Sequence, residues 1–362
     1  MAVQEGALAL LGMTPDFWRG KPVLVTGHTG FKGGWLSLWL QQLGAHTHGY
    51  SLPAATQPSL FAEARVGEGM TNIAGDIRDL PHLRACMGAA QPEIVFHLAA
   101  QSLVRPSYID PIETIACNVT GTMNVLEAVR NTPSVKAVVV ITSDKCYENR
   151  EWQQLYREGE AMGGRDPYSA SKACAEIITA SWRASFLAEK GVAVASARAG
   201  NAIGGGDWAA DRLIPDALRA WQNGQQLRVR YPQAVRPWQH VLEPLAGYLL
   251  LAENLYGGKS AEAWNFGPTE NDMRPVGEIL DSLAALWGDG ASWQADGQQH
   301  PHEAGLLRLD SSKARTLLGW KSQFDIEQAL ERVVSWHRGW MAGTDMRAFT
   351  LGQIGQYMEL DR

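Results

Sequence analysis

The sequence predicts an α/β protein built on an open parallel sheet, and three observations point there. Short apolar runs, among them Ala137–Ile141 and Val192–Arg198, recur with helix-like stretches between them, the alternation that a parallel sheet requires. The first such run leads directly into a glycine-rich turn and an apolar helix. After residue 198 the character changes to loop-rich sequence carrying several arginines and aromatics.

In chain order, Lys21–Thr26 is the first strand, Gly27 to Gly34 the turn, Trp35–Leu43 the helix and Ala45–Tyr50 the second strand. That order suits a dinucleotide site. Gly27, Gly30 and Gly33 permit a tight turn, a backbone approach to pyrophosphate and close helix packing. The helix N-terminus then faces the phosphates with unpaired amides, and His28 and Lys32 offer cationic contacts. The glycine spacing is G-x-x-G-x-x-G instead of G-x-G-x-x-G. The second strand ends in Gly49-Tyr50-Ser51, with no carboxylate to grip a ribose and no arginine close enough to claim a 2′-phosphate, so NAD is expected over NADP.

Asn72–Asp79 reads as a strand end carrying a carboxylate. Asp76, with the Ile77 backbone, meets the adenine edge, or Asp76 caps a helix at Leu80–Met87, or both. Glu93–Leu98 is a strand, and the small residues Ala99 and Ala100 after it let the backbone lie against a cofactor ribose. Asn118–Val129 is an amphipathic helix. The buried strand Ala137–Ile141 delivers Ser143, Asp144 and Lys145 to the carboxyl edge of the sheet, where ligands bind in such folds. Pro167 suits a helix start and sets Tyr168 and Lys172 on one face. A phenol beside an ammonium has its anion stabilised, so Tyr168 reads as a base near neutral pH.

Residues 199–240 carry Arg212, Arg219, Arg228, Arg230 and Arg236, which suit the diphosphate of a sugar nucleotide. Arg236 is fixed just before the apolar helix Val241–Leu255. Ala263–Phe266 is a short strand, and Val276–Trp287, Ser311–Leu318 and Ile326–Met341 are helical.

Composition narrows the partners. Hydrophobic residues make up 45% of the 362, enough for a large core, and the net charge of −6 with no basic block argues against nucleic acid or anionic membrane. Cys86, Cys117, Cys146 and Cys174 form no CxxC or Cys/His cluster, so neither zinc nor a disulfide framework is indicated, and His300 and His302 read as solvated. The apolar run 7–11 follows Glu5 with no Lys or Arg, which does not make a signal peptide, and no stretch has the length of a membrane span. The expected location is a reduced cytoplasm.

Taken together, TGHTGFKG at 26–33, GDIRD at 75–79, HLAAQ at 97–101, TSDK at 142–145 and YSASK at 168–172 resemble the extended short-chain dehydrogenase/reductase superfamily. The resemblance covers roughly residues 20–340, and within the superfamily the chain looks like a nucleotide-sugar 4,6-dehydratase. GNAIGGGDW at 200–208 and RPWQHV at 236–241 bring it nearest to the branch that acts on CDP-glucose. The resemblance implies a doubly wound parallel sheet (Rossmann) with a smaller C-terminal substrate-binding domain. Residues 15–198 would hold NAD, part of 235–265 would pack back on them, and 199–234 with 266–350 would bind substrate.

On that likeness the catalytic residues are Ser143, Asp144, Lys145, Tyr168 and Lys172. Ser143 partners Tyr168, Asp144 protonates the leaving hydroxyl, and Lys145 stands where many relatives place a glutamate base. To serve as that base Lys145 must be neutral, which burial or neighbouring positive charge would bring about. Cofactor contacts are expected from Gly27, His28, Gly30, Phe31, Lys32, Gly33, Asp76, Ile77, Leu98, Ala99, Ala100 and Gln101, with Tyr168 and Lys172. Substrate contacts are expected from Ser102, Arg105, Asn201, Arg212, Arg236, Gln239 and His240. The product would be a 4-keto-6-deoxy nucleotide sugar for deoxysugar biosynthesis, as for lipopolysaccharide O-antigen. A homodimer or homotetramer is expected, paired through Asn118–Val129 and Tyr168–Ala188.

Two other readings stay open. A 4-epimerase or reductase of the same superfamily shares the glycines, Tyr168 and Lys172 but has no use for the adjacent Asp144 and Lys145. A non-catalytic dinucleotide-binding regulator would not need the tyrosine, lysine and hydroxyl together.

Overall fold

The computed structural model describes residue 14 and residues 16–297 and 306–360. The apolar run 7–11 and the pair His300 and His302 lie outside the described residues.

Seven strands form one sheet. They are β1 (Pro22–Thr26), β2 (His46–Ser51), β3 (Thr71–Ala74), β4 (Ile94–His97), β5 (Ala137–Ile141), β6 (Ala193–Ala199) and β10 (Ala263–Phe266). Their order is β10-β6-β5-β4-β1-β2-β3, and every pairing is parallel. Strand order reverses between β1 and β4, which opens a crevice at their carboxyl ends. In β5 all five residues are buried, as expected of a strand covered on both faces.

Alternation along the strands builds two cores. Val23, Val25, Phe96 and Val139 point to one side, where Trp35, Leu36 and Trp39 of helix α1 (Phe31–Gln42) meet them. Leu24, Val95, Val138 and Val140 point to the other, against Leu83 and Met87 of α2 (Leu80–Ala90) and Val125, Leu126 and Val129 of α3 (Gly121–Arg130). Helix α4 (Pro167–Trp182) follows β5 and carries Tyr168.

Helix α6 (Leu242–Tyr256) is buried almost all round, because it is sandwiched between the sheet and the C-terminal chain. It carries one carboxylate inside. Glu243 accepts hydrogen bonds from the backbone N–H groups of Gln323 and Phe324 and from the Tyr357 hydroxyl, and burial still pushes it up to about 7. A smaller core gathers Ile214 and Leu218 of α5 (Leu213–Gln222), Ile279 and Leu283 of α7 (Val276–Trp287), and Leu330 and Val333 of α8 (Ile326–Met341). Residues 314–324 and the last helix, α9 (Met346–Glu359), pack with the sheet instead, through Leu318, Trp320, Ile354 and Tyr357.

The structure departs from sequence expectation in places that share a cause. The stretch 199–240, expected to be loop-rich, holds α5 and three short strands: β7 (Asn201–Ile203), β8 (Leu227–Val229) and β9 (Val235–His240). The outer two join β11 (Met273–Pro275) in a small sheet of order β11-β9-β7. The three-residue strands β7 and β8 carry no readable period, β9 is buried at five of its six positions and shows no alternation, and their partners come from distant sequence. The helical chain expected at Asn118 starts instead at Pro111, with Asp110 accepting from the Glu113 N–H at 2.9 Å, and runs through a π turn at Ala116–Thr120. Helix α9 was not expected at all; Asp345 caps it by accepting from the N–H groups of Arg347 and Ala348.

The run Gly204-Gly205-Gly206 packs into the core on the α1 side of the sheet, against residues from four separate parts of the chain. A Cβ on Gly205 would lie 2.0 Å from Trp336 Cγ, one on Gly204 2.8 Å from Val241, and Gly206 has φ +81°. The Trp35 indole N–H donates to the Gly205 carbonyl at 2.9 Å. Gly205→Ala should therefore lower stability by about 1–3 kcal/mol, the usual cost of overpacking. Thermal unfolding would show it, and an unmoved midpoint would mean that Trp336 yields freely.

Candidate active site

A cavity of ≈ 1000 Å³ opens at the carboxyl edge of the sheet, between the glycine turn, the end of β5, the start of α4 and the chain from 199 to 236. Most of the residues expected at a site line it. These are Gly27, Gly30, Phe31, Lys32, Gly33, Asp76, Ile77, Leu98, Ala99 and Ala100 on the cofactor side, and Ser143, Asp144, Lys145, Tyr168 and Lys172 at the centre. Ser102, Arg105, Asn201, Arg212 and Arg236 line the remainder.

The glycine turn has two kinds of glycine. Gly27 sits at φ +78°, and a Cβ there would lie 2.6 Å from the Ala99 nitrogen; one on Gly33 would lie 2.1 Å from the Gly27 oxygen. Both are demanded by the protein itself. At Gly30 a Cβ would meet only the Gly27 oxygen, at 3.4 Å, and the residue faces the cavity. The open side at Gly30 and the N-terminus of α1 beside it fit a dinucleotide pyrophosphate. Thr29 and Ser51 pair their hydroxyls at 2.8 Å, so the end of β2 offers neutral groups, in keeping with the missing ribose carboxylate.

Four expected contacts are corrected. His28 is buried under the turn, its Nε2 2.7 Å from Asn72 Oδ1, and burial lowers its proton affinity, so it presents no cation to phosphate. Gln101 is a latch: its N–H donates to Asn118 Oδ1 at 2.8 Å and its amide to the Leu103 carbonyl and Thr114. Gln239 is buried and donates to the Phe266 carbonyl. His240 is buried between Trp35 and Phe324, and burial drives it down to about 3. Asp76 lines the cavity, but the helix cap is Asp79, which accepts from the His82 N–H. The Asp76 carboxylate binds Arg78 instead.

At the centre, the Ser143 hydroxyl donates to Asp144 Oδ1 at 3.0 Å and accepts from the Lys145 N–H at 3.2 Å. Burial raises the Asp144 carboxyl, against the pull of Lys145, Ser143, Lys32 and Arg236. Its Oδ2 finds no hydrogen-bond partner among the described residues. This is a protonatable acid with one free oxygen. Tyr168 is pushed up to about 12, because burial outweighs the hydrogen bond with Ser143. The expected lowering by Lys172 does not decide its state in the protein alone. Lys172 is itself drawn down to about 8 by burial, and its ammonium donates to the Ile141 carbonyl at 3.4 Å. Lys145 is partly exposed, so of the two influences expected to act on it, burial and neighbouring positive charge, burial is incomplete. The second lysine with a lowered affinity is Lys32, at about 8, through burial and the charges of Arg212 and Lys172.

On the substrate side, Arg212 binds Asp207 at 2.8 Å and the Ser102 hydroxyl at 3.0 Å, and Arg105 binds Asp211 at 2.6 Å. Arg219 turns away to Asp216 and the Trp208 carbonyl, so Arg212, Arg228, Arg230 and Arg236 are the cations of that region that line the cavity. Sequence reasoning missed Asp207, which fixes Arg212, and the buried pair Glu176–Arg198 behind Ser143. The signal for Glu176 was present, since it lies four residues after Lys172 on the same helix face. No group of three or more His, Cys, Asp or Glu placed to hold a metal occurs among the described residues.

A family model described as GDP-mannose 4,6 dehydratase matches residues 24–333. The chain is 54% identical over 350 residues to a CDP-glucose 4,6-dehydratase of Salmonella typhimurium, covering 95% of this chain and 98% of that one. A dTDP-glucose 4,6-dehydratase of Streptomyces griseus is 28% identical, over 88% and 95%. Among solved structures, a dTDP-glucose 4,6-dehydratase from Bacillus anthracis in complex with NAD superposes with a TM-score of 0.75 at 20% identity, over 88% and 97% of the chains. A UDP-glucose 4-epimerase from Thermotoga maritima with UDP-glucose reaches 0.78 at 19%, over 88% and 99%. These two likenesses are of fold.

The glycine geometry separates two substitutions. Gly33→Ala should lower thermal stability, because its Cβ collides with the protein's own backbone. Gly30→Ala should leave the unfolding midpoint within a degree or two and weaken NAD in a titration. Equal effects on both readouts would contradict this division.

Proposed function

The chain belongs to the GDP-mannose 4,6 dehydratase family, and on that premise we propose that it converts CDP-D-glucose, with NAD, to the 4-keto-6-deoxy nucleotide sugar and water. The observation that carries this reading is the joining, in one cavity, of Ser143, Tyr168 and Lys172 with a buried acid and a second lysine, Asp144 and Lys145. An epimerase or reductase has no step for that acid.

NAD supplies the chemistry of taking the C4 hydride and returning it at C6, and is therefore needed in catalytic amount. Gly30 and the start of α1 would hold its pyrophosphate, with Ala99 and Ala100 along it. The remaining work falls to side chains. Tyr168 takes the O4 proton as its phenolate, a form that its burial opposes and the positive charge of a bound oxidised nicotinamide would favour, and Ser143 holds the phenol in place. With O4 a carbonyl, C5–H becomes acidic because the carbanion spreads onto that oxygen. Lys145 removes the C5 proton and gives a proton back to C5 as C6 is reduced, so that the sugar regains its C5 hydrogen. Asp144, kept protonatable by burial, gives its proton to the departing O6. Arg212 and Arg236 bind the diphosphate, and the chain from 199 to 236, with Val276, Asp296 and His337, surrounds the sugar.

The oligomer and its location belong to the same reading. Ile109 and Ile112 are 85% and 78% exposed, and Ile177 on α4 is 58% exposed. These residues support a homodimer or homotetramer through the chain 108–115 and α4, with the earlier segment in place of Asn118–Val129; light scattering reads the mass. The four cysteines are unpaired, in keeping with a reducing cytoplasm, and no described helix is long and apolar enough to cross a membrane.

Pure protein with NAD, mixed with a panel of nucleotide-glucoses, should remove one water fastest from CDP-D-glucose, as followed by mass spectrometry. A different nucleotide preferred would overturn the substrate, and no loss of water the reaction. In deuterated water, Lys145→Ala is expected to abolish label at C5. Retained label would take Lys145 out of the mechanism.

A further inference from the structure

Behind the catalytic segment lies a charged pair that the reaction as described does not use. Glu176 and Arg198 are both buried, and Arg198 Nη2 binds Glu176 Oε2 at 2.7 Å. Burial works against the charge of Glu176, yet its hydrogen bonds and the nearby guanidinium hold it below the usual carboxylate range. The pair is reached from both ends of the segment that carries Ser143, Asp144 and Lys145. On one side the Thr142 hydroxyl donates to Glu176 Oε1. On the other, Arg198 Nη1 donates to the Tyr147 hydroxyl at 2.8 Å, and the guanidinium carbon lies 5.0 Å from the centre of that ring. The Tyr147 hydroxyl itself donates to Asn265 Oδ1 at 2.7 Å, and the Ser196 hydroxyl donates to Glu176 Oε2 at 2.6 Å.

We propose that the Glu176–Arg198 pair is a positioning clamp that grips the catalytic segment at Thr142 and Tyr147 and sets its acid and lysine relative to Tyr168. The proposal rests on the active-site reading above and adds to it two residues that touch neither sugar nor cofactor. Helix α4 makes the coupling rigid, because Tyr168, Lys172 and Glu176 follow one another at four-residue steps on one face. Lys172 holds the Ile141 carbonyl and Glu176 the next residue's hydroxyl, so the strand end is fixed at consecutive positions. A second effect follows from charge. Lys172 is faced by Glu176 on its own helix, by Cys117 and Cys146, by His97 at the end of β4, and by Lys32 from the glycine turn. Of these Glu176 is the carboxylate, and it raises the proton affinity that burial lowers.

The sign of the test is fixed by that arrangement. Lys172 serves as an ammonium, so activity falls as pH rises through its titration near 8. Without the Glu176 charge, Lys172 loses its proton at lower pH. Glu176→Gln should therefore move the alkaline limb of kcat down by about one pH unit, and lower kcat about ten- to a hundredfold with KM within a few-fold. Because Arg198 is then left without its carboxylate and the variant can fail to fold, a second pair of variants isolates the grip alone. Thr142→Val removes the hydroxyl and should lower kcat without moving the limb, while Thr142→Ser keeps the hydroxyl and should restore it. An unshifted limb in folded Glu176→Gln, or Thr142→Val as active as Thr142→Ser, would overturn the clamp. Tyr168→Phe tells the two layers apart. If that variant is dead while the clamp variants behave as wild type, the active-site reading stands and the clamp falls. If Tyr168→Phe turns over normally, the reading beneath the clamp fails.

Discussion

Two backbones pressed together at the ends of β1 and β4 decide where everything else can stand. Gly27 takes a left-handed conformation so that its amide reaches the Tyr50 carbonyl at 3.0 Å while its α-carbon lies against Ala99. The approach is pinned from inside. Thr26 Oγ1 is 2.8 Å from His97 Nδ1, and His97 Nε2 is 3.0 Å from Thr122 Oγ1 on α3. Burial drives His97 down to about 3, so this chain of polar groups is neutral across the working range of pH. Only with those strand ends locked does the turn present one open glycine, with α1 starting at the cavity wall.

The second constraint is desolvation, and it decides the state of nearly every working group. It wins at Asp144, Tyr168, Lys172 and Lys32, each shifted toward its neutral form despite hydrogen bonds or opposite charge. It loses at Glu176 and Arg198, where an ion pair at 2.7 Å with further hydrogen bonds keeps both charges. The site thus places a charged, fixed pair behind a set of groups ready to exchange protons. On α4 that division falls between Lys172 and Glu176, about one turn apart.

Much of this was legible in the sequence, for physical reasons that differ by region. β5, with five apolar residues, and the helices Val276–Trp287 and Ile326–Met341 were readable residue for residue, because buried strands and amphipathic helices carry their environment in their pattern. The glycine turn and the Tyr168–Lys172 pair were readable because spacing alone fixes their geometry. The short strands of the 199–240 region were not, since β7 and β8 are too short to have a period, β9 is buried without alternation, and the partners are tens of residues away. His28, Gln239 and His240 misled for a related reason. A polar residue next to a site-forming motif looks available, and only packing shows that Asn72, the Phe266 carbonyl, or Trp35 and Phe324 already occupy it. The burial of Tyr168 was equally hidden, since the balance of solvent loss against neighbouring charge depends on Ser143 and Asp144, on Arg212 and on Asp166, which are far apart in sequence.

The glycine run at 204–206 has a consequence for how this architecture can be recombined. Each of its residues owes its small size to something far away in the chain: Phe31 and Val241, Trp336, and Leu60. Trp336 in turn meets Trp208, which also meets Trp340. The loop that lines the sugar side is therefore not a portable module. Transplanting it from a relative brings glycines shaped to another protein's tryptophans, and a chimaera would have to carry α8 and the start of α1 along with it. Diversity in this region is consequently constrained to change in company, several distant segments at a time.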